Sequence, residues 1–218
     1  RTSTLQMTAS SFLGFTADRT MRAAQSLYEA GLITYLRTDG INISTSPNTG
    51  EPFSEENPGP PPLEEIRNVI LEKFGDSFLS KEVRIYKSKV KNSQEAHEAI
   101  RPTNIKTYPE NINLGQDEQK LYTLIWNRTL SSQMSNSQHE RKKIVICSEN
   151  NKYIFNASSR KTLFEGFETL TKKDSAEVIK FPDNLKESEK VNLAEFISEQ
   201  KFTSPPNRYS EASLIKKM

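Results

Sequence analysis

One cysteine, two histidines and one tryptophan are all that the 218 residues contain. Cys147 alone cannot build an internal disulfide framework or a multi-cysteine zinc site, and His97 with His139 leaves little for a histidine-based metal centre. Long apolar runs are missing. Stretches such as Ile144–Cys147 are far too short to span a bilayer, and Arg1-Thr2-Ser3-Thr4 has no apolar signal-peptide core. An excess of one charge is missing as well: 30 Lys and Arg face 28 Asp and Glu, so composition alone makes no case for nucleic acid. A glycine-rich phosphate loop, an HExxH metal motif and a hydrolase signature around Ser and His are all absent. What remains is a mildly basic globular protein of a reducing compartment, long enough to bury a core in one or two domains.

The pattern along the chain predicts helices first and strands later. Residues 16–31 read as a helix with Thr16 as N-cap, Gly31 as left-handed stop, and Met21, Ala24, Leu27 and Tyr28 as its apolar face. Leu32–Thr38 reads as extended, ending at the turn signal Asp39-Gly40. Pro47–Glu65 holds six of the eleven prolines and five glutamates and reads as a solvated insertion over 47–62. Leu63–Phe74, Ser93–Ile100 and Asp117 to about Met134 are expected helices. Lys142–Cys147 and Tyr153–Ala157 are expected strands about a turn at Glu149–Lys152, with further strands at Thr162–Leu170, Ala176–Phe181 and Val191–Ile197. The expected class is α+β, with a helical domain over 1–136, a β-rich domain over 137–203 and the start of a helical segment over 204–218. Both ends read as cuts, since Arg1 replaces an initiator Met and Glu211–Met218 resembles an unfinished amphipathic helix.

Chemistry must then rest on a less usual group, and Tyr35 is the candidate. In extended backbone, residues i and i+2 share a side, so Tyr35 and Arg37 would project together. A phenol with a pKa of about 10 is a weak nucleophile at neutral pH. A neighbouring guanidinium favours phenolate and grips phosphate oxygens through two hydrogen bonds. Together they could carry attack on a phosphodiester. The plainer reading of Tyr-x-Arg is a half-buried ring beside a solvated charge.

Three segments sharpen the choice. Thr2-Ser3-Thr4-Leu5-Gln6 with Arg19–Glu29 and Gly31–Asp39, then Ser93–Thr103, then Ser204–Leu214, resemble in order the signatures of type IA DNA topoisomerases. The resemblance implies a helical tyrosine domain followed by arch strands. It implies an enzyme that needs no ATP: it cleaves one strand through a 5′-phosphotyrosine, passes another strand and reseals, relaxing negative supercoils. Tyr35 would be the nucleophile and Arg37 the phosphate-holding group. His97 and Arg101, at i and i+4, would contact DNA phosphate, and Gln25 would bind DNA at a family position near the single strand. Asp39 would take a positioning role. Residue types leave alternatives at two of these: His97 as a structural histidine, and Arg101 as a helix C-cap. Trp126 and Tyr122 read as packing rather than base-stacking residues, and His139 is assigned nothing. Gly40 stands where the family usually has Ser.

The resemblance further implies Mg²⁺ held by a Toprim domain outside these residues, so that the piece alone would cleave poorly. It implies single-stranded and negatively supercoiled DNA as partners, a monomer, no nucleotide cofactor and no membrane. Bacterial cytoplasm, at the nucleoid, is the expected compartment, with an organelle as the alternative. Leu36 between Tyr35 and Arg37 favours a topoisomerase I-like enzyme over a topoisomerase III-like decatenase, where Pro is usual. A reverse gyrase, a non-catalytic single-strand-binding module and a pure scaffold are the other readings.

Overall fold

The computed structural model describes residues 1–45, 61–86, 98–171, 181–182, 184–192, 194–195 and 197–217. Among the described residues, six α-helices and two strands follow in order: α1 (Thr2–Leu13), α2 (Ala17–Glu29), α3 (Pro62–Phe74), α4 (Gln116–Ser131), β1 (Gln138–Cys147), β2 (Ile154–Phe164), α5 (Glu168–Thr171) and α6 (Glu211–Lys217). The class is mixed helix and strand, with one two-stranded antiparallel sheet among the described residues. Two compact units divide the chain: Arg1–Gln138 with Phe164–Lys173 and Tyr209–Met218, and His139–Leu163 with Asp174–Arg208.

The first unit is built around α4, which packs on α1, α2, α3 and α5. Leu121, Tyr122, Ile125, Trp126 and Leu130 of α4 are buried against Leu27 of α2, Ala9 of α1, and Ile66, Val69 and Ile70 of α3. Tyr122 and Trp126 are packing residues, as their helix suggests. The Tyr122 hydroxyl donates to Thr107 O at 2.8 Å and Trp126 Nε1 to Ile105 O at 2.9 Å. Each buried ring thereby satisfies its polar end.

Local signals explain the helix ends. The Thr16 side chain accepts from Arg19 N at 3.2 Å, fixing the start of α2. Pro62 opens α3, where its missing N–H would have had no partner. The apolar face of α2 is turned by about one residue from expectation. Thr20, Ala23, Ala24 and Leu27 are buried while Tyr28 is exposed.

Other expectations are corrected. Residues 98–101 are not helical, and the rest of the 93–100 helix lies outside the described residues, as do the 46–60 part of the proline-rich stretch and 172–180. Thr162–Leu170 is not one strand. It ends β2 at Phe164, turns at Gly166 and enters α5. Gly166 has φ +50°, and a Cβ there would meet Ser135 O at 2.5 Å, so close backbone packing cuts the strand short. The described residues of 191–197 form no strand, and Val191 and Ile197 are exposed. The polar and apolar residues of α1 lack a sharp 3.6-residue period, so periodicity does not mark this helix.

In the second unit, β1 and β2 are joined by a turn that places Asn151 at φ +55°. Asn tolerates this region better than most residues.

One surface contact ties α2 to α4. Arg19 Nε and Nη2 donate to the two Asp117 oxygens, each at 2.6 Å. Those hydrogen bonds hold the Asp117 carboxyl below its ordinary value. A folded-state value below the unfolded one means stability present above the unfolded carboxylate pKa and lost as pH falls through the folded one. Asp117→Asn is therefore expected to lower Tm modestly near neutral pH, since the pair is exposed, and to match the parent protein in strong acid. A Tm difference that stayed constant down the acid limb would show that the carboxylate's charge is not what contributes.

Candidate active site

The segment holding Tyr35 is aimed by the end of α2. Gly31 takes φ +70°, donates to Tyr28 O, and lets Leu32 N reach back to Leu27 O, both at 2.9 Å. This closes the helix and turns the chain into residues 32–40. A single antiparallel bridge, Ile33 with Pro102, replaces the expected strand.

Hydrogen bonds then arrive from two sides. From one side, Thr2 N donates to Thr38 O at 2.9 Å, Thr2 Oγ1 to Leu36 O at 2.7 Å, and Thr38 N to Thr2 Oγ1 at 3.0 Å. From the other, Thr34 N donates to Arg101 O at 2.9 Å and Thr34 Oγ1 to Ala99 O at 2.9 Å. Thr38 Oγ1 donates to Glu98 O at 2.9 Å, and Thr103 N donates to Leu32 O at 3.0 Å. Ile33 and Leu36 are buried in the core. Tyr35, Arg37 and Asp39 are left exposed, with the buried Leu36 and Thr38 alternating between them.

Tyr35 is 55% exposed, an unusual position for a ring held on so constrained a backbone. Its ring meets that of Tyr28 edge-on, with centroids 5.6 Å apart and planes at 67°. Such a contact favours one ring orientation by about 1 kcal/mol. Its helical spacing on α2 predicts a core position for Tyr28. Only the chain's return after Gly31 shows that it faces Tyr35 instead.

The other expected site residues do not gather as a set. Gln25 lies on α2 one turn before Tyr28, and its Nε2 donates to Glu29 Oε1 at 2.8 Å. His97 lies outside the described residues. Arg101 is only 4% exposed. Its Nε and Nη2 donate to the two Glu98 oxygens at 2.7 and 3.1 Å, and Nη1 donates to Pro102 O at 2.9 Å and Thr103 O at 3.3 Å. Glu98 Oε1 also accepts from Ser44 N at 2.8 Å. Arg101 thus faces inward as a clamp on the segment behind Thr34. It is neither a helix cap nor, in this arrangement, open to a phosphate. Among the described residues, no three His, Cys, Asp or Glu side chains converge as metal ligands.

A family model described as DNA topoisomerase matches residues 1–218. The DNA topoisomerase 1 of Rickettsia bellii is 42% identical over 231 aligned residues, covering 100% of this chain and 27% of that protein. The DNA topoisomerase 1 of Helicobacter pylori strain 26695 is 43% identical over 225, covering 99% of the chain and 28% of that protein. Full-length topoisomerase I from Thermotoga maritima superposes with a TM-score of 0.68 at 33% identity, over 100% of this chain and 33% of that one. The chain therefore spans little more than a quarter of the curated relatives it matches, and it belongs to the DNA topoisomerase family, in the type IA class that its motifs resemble.

Proposed function

We propose that Tyr35 is the nucleophile of a type IA topoisomerase, as part of a longer protein acting on single-stranded segments of negatively supercoiled DNA. Its Oη attacks a backbone phosphorus, an O–P bond to tyrosine forms, and the P–O3′ bond breaks. The 3′ oxygen leaves as a hydroxyl, taking up the proton that the phenol gives up. Because one phosphoester replaces another, the reverse attack by that hydroxyl reseals the strand without ATP. Arg37 neutralises charge on the phosphoryl oxygens as the five-coordinate phosphorus forms. The single observation that carries this reading is the exposure of Tyr35 and Arg37 on a segment pinned from both sides, with Leu36 buried between them.

Leu36 between Tyr35 and Arg37 supports relaxation rather than decatenation. Mg²⁺ would be held outside the described residues, in the Toprim domain that the resemblance implies, and nothing in the chemistry above is routed through it. The proposed compartment is the bacterial cytoplasm. No described helix is long and apolar enough to cross a membrane.

The test is to incubate the full-length protein with labelled single-stranded DNA and Mg²⁺, denature it, and map any covalent adduct by mass spectrometry. An adduct on Tyr35 supports the enzyme. DNA binding without an adduct points to a binding module, and no DNA binding at all points to a scaffold.

Tyr28 gives a finer expectation. Tyr28→Ala frees the Tyr35 ring to sample other rotamers, so adduct formation should slow about fivefold with DNA affinity unchanged, while Tyr28→Phe keeps most of the rate. Equal rates for all three proteins would mean that the edge contact does not orient the nucleophile.

A further inference from the structure

Behind the Tyr35 segment lies a cavity of about 350 Å³, within the first unit. The stretch Ala99–Arg101, which hydrogen-bonds to Thr34 on one side, lines this cavity on the other. Its floor is apolar, with Ile41, Ile43 and Leu124 partly buried there. Its rim is polar and cationic, with Arg84, Tyr86 and Arg128.

The rim is held in place. Arg84 N donates to Gln133 Oε1 at 3.1 Å while Gln133 Nε2 donates to Arg84 O at 3.0 Å. Tyr86 N donates to Asn42 Oδ1 at 2.8 Å while Asn42 Nδ2 donates to Tyr86 O at 2.9 Å. Each side-chain amide thus pairs with the backbone as a strand neighbour would, and the Tyr86 hydroxyl donates to Ser132 O at 2.8 Å. The ring is anchored at both ends and still 42% exposed. Arg84 uses Nη2 on Asn136 at 2.8 Å. The exposed Arg128 guanidinium makes no hydrogen bond or ion pair with another described residue.

A rigid aromatic face, an apolar floor and two guanidinium groups suit one ligand chemistry: a planar ring bearing a phosphate. Stacking supplies sequence-tolerant affinity, and arginine supplies the anion contact. The volume is at the lower end of the roughly 300–1,000 Å³ typical of small-ligand pockets. We propose that this cavity is a nucleotide subsite, its base stacked on Tyr86 and its phosphate beside Arg84 and Arg128, and that its occupant is one unit of the strand that Tyr35 attacks. This rests on the DNA-cleaving reading above. Tyr35 and Ile41 are six residues apart, at most about 20 Å of extended chain, so a short single strand can reach both.

The test uses the full-length protein without Mg²⁺ and a fluorescein-labelled single-stranded 12-mer carrying 5-iododeoxyuridine. Tyr86→Ala is expected to weaken binding about tenfold, and Tyr86→Phe to hold it within twofold. Arg128→Ala should shrink the slope of log affinity against log salt by about 0.7, the value of one single-strand phosphate. Irradiation should crosslink the oligonucleotide to Tyr86. Unchanged affinity and salt slope in the variants, with no crosslink at Tyr86, would overturn the subsite while a Tyr35 adduct in Mg²⁺ left the cleavage reading standing. If the unmutated protein bound no oligonucleotide, both would fall. Saturable binding of dTMP lost in Tyr86→Ala, with oligonucleotide affinity unchanged, would overturn the strand as occupant in favour of a free nucleotide.

Discussion

Full-length protein carrying Tyr35→Phe is expected to form no covalent adduct with single-stranded DNA and to lose at least about 10⁴-fold in strand cleavage, while binding the strand as before. The substitution removes one oxygen from a ring that is more than half exposed, so it leaves no cavity and no unsatisfied buried group. The edge contact with Tyr28 needs only the ring and survives. Stability should therefore stay within about 0.5 kcal/mol of the parent. That combination separates chemistry from folding. An adduct that persisted in Tyr35→Phe, mapped to another residue, would remove Tyr35 from the reaction and with it the role given to Arg37.

The second large effect is expected at Glu98. Its carboxylate accepts two bonds from Arg101, whose side chain is almost fully buried. Glu98→Ala strands that guanidinium away from water with only two carbonyls as partners. Removing one member of a buried pair costs about 3–5 kcal/mol, and partial exposure of Glu98 places this one near the lower figure. The Ser44 N–H also donates to this carboxylate, and a hydrogen bond to a charged group is worth about 1.5–3 kcal/mol, so its loss adds to the cost while the ion pair remains the larger part. The damage also travels. Arg101 O and N both bond to Thr34, the residue before Tyr35, so adduct formation should slow as well. Urea unfolding of Glu98→Ala measures the first effect. The double variant Glu98→Ala, Arg101→Met should recover much of the stability, because it removes the uncompensated cation. A single variant within 1 kcal/mol of the parent would mean that water reaches Arg101 and that the clamp contributes little.

These two positions differ in how they can be read. Tyr35 and Arg37 stand two apart in a β-branched, aromatic stretch between Gly31 and Asp39-Gly40, so their shared exposure follows from local chain geometry. Arg101 looks like any arginine before a proline. Its partner Glu98 is three residues away, a spacing that suggests a surface helical pair, yet the local backbone is not helical and the arginine is buried. Nothing local distinguishes a guanidinium that meets a phosphate from one that braces a loop.

The same division runs through the fold. Residue chemistry close along the chain is enough for the Thr16 cap and the Gly31 stop of α2, for the presence of α3, α4 and α6 and for the hairpin β1–β2, because caps, turns and periodicity act over a few residues. Strands proposed from β-branched composition alone failed at 162–170 and in the described part of 191–197. A strand exists only where a partner offers a ladder, and Gly166 packs against Ser135 instead. The turning outward of Tyr28, the pinning of Tyr35 by Thr2 and by residues 98–103, and the cavity edged by Tyr86 and Arg128 belong to tertiary structure alone. Apart from the Tyr28–Tyr35 contact, their bonds join residues more than thirty positions apart, and the core that fixes those distances is formed by α1, α2, α3 and α4 together.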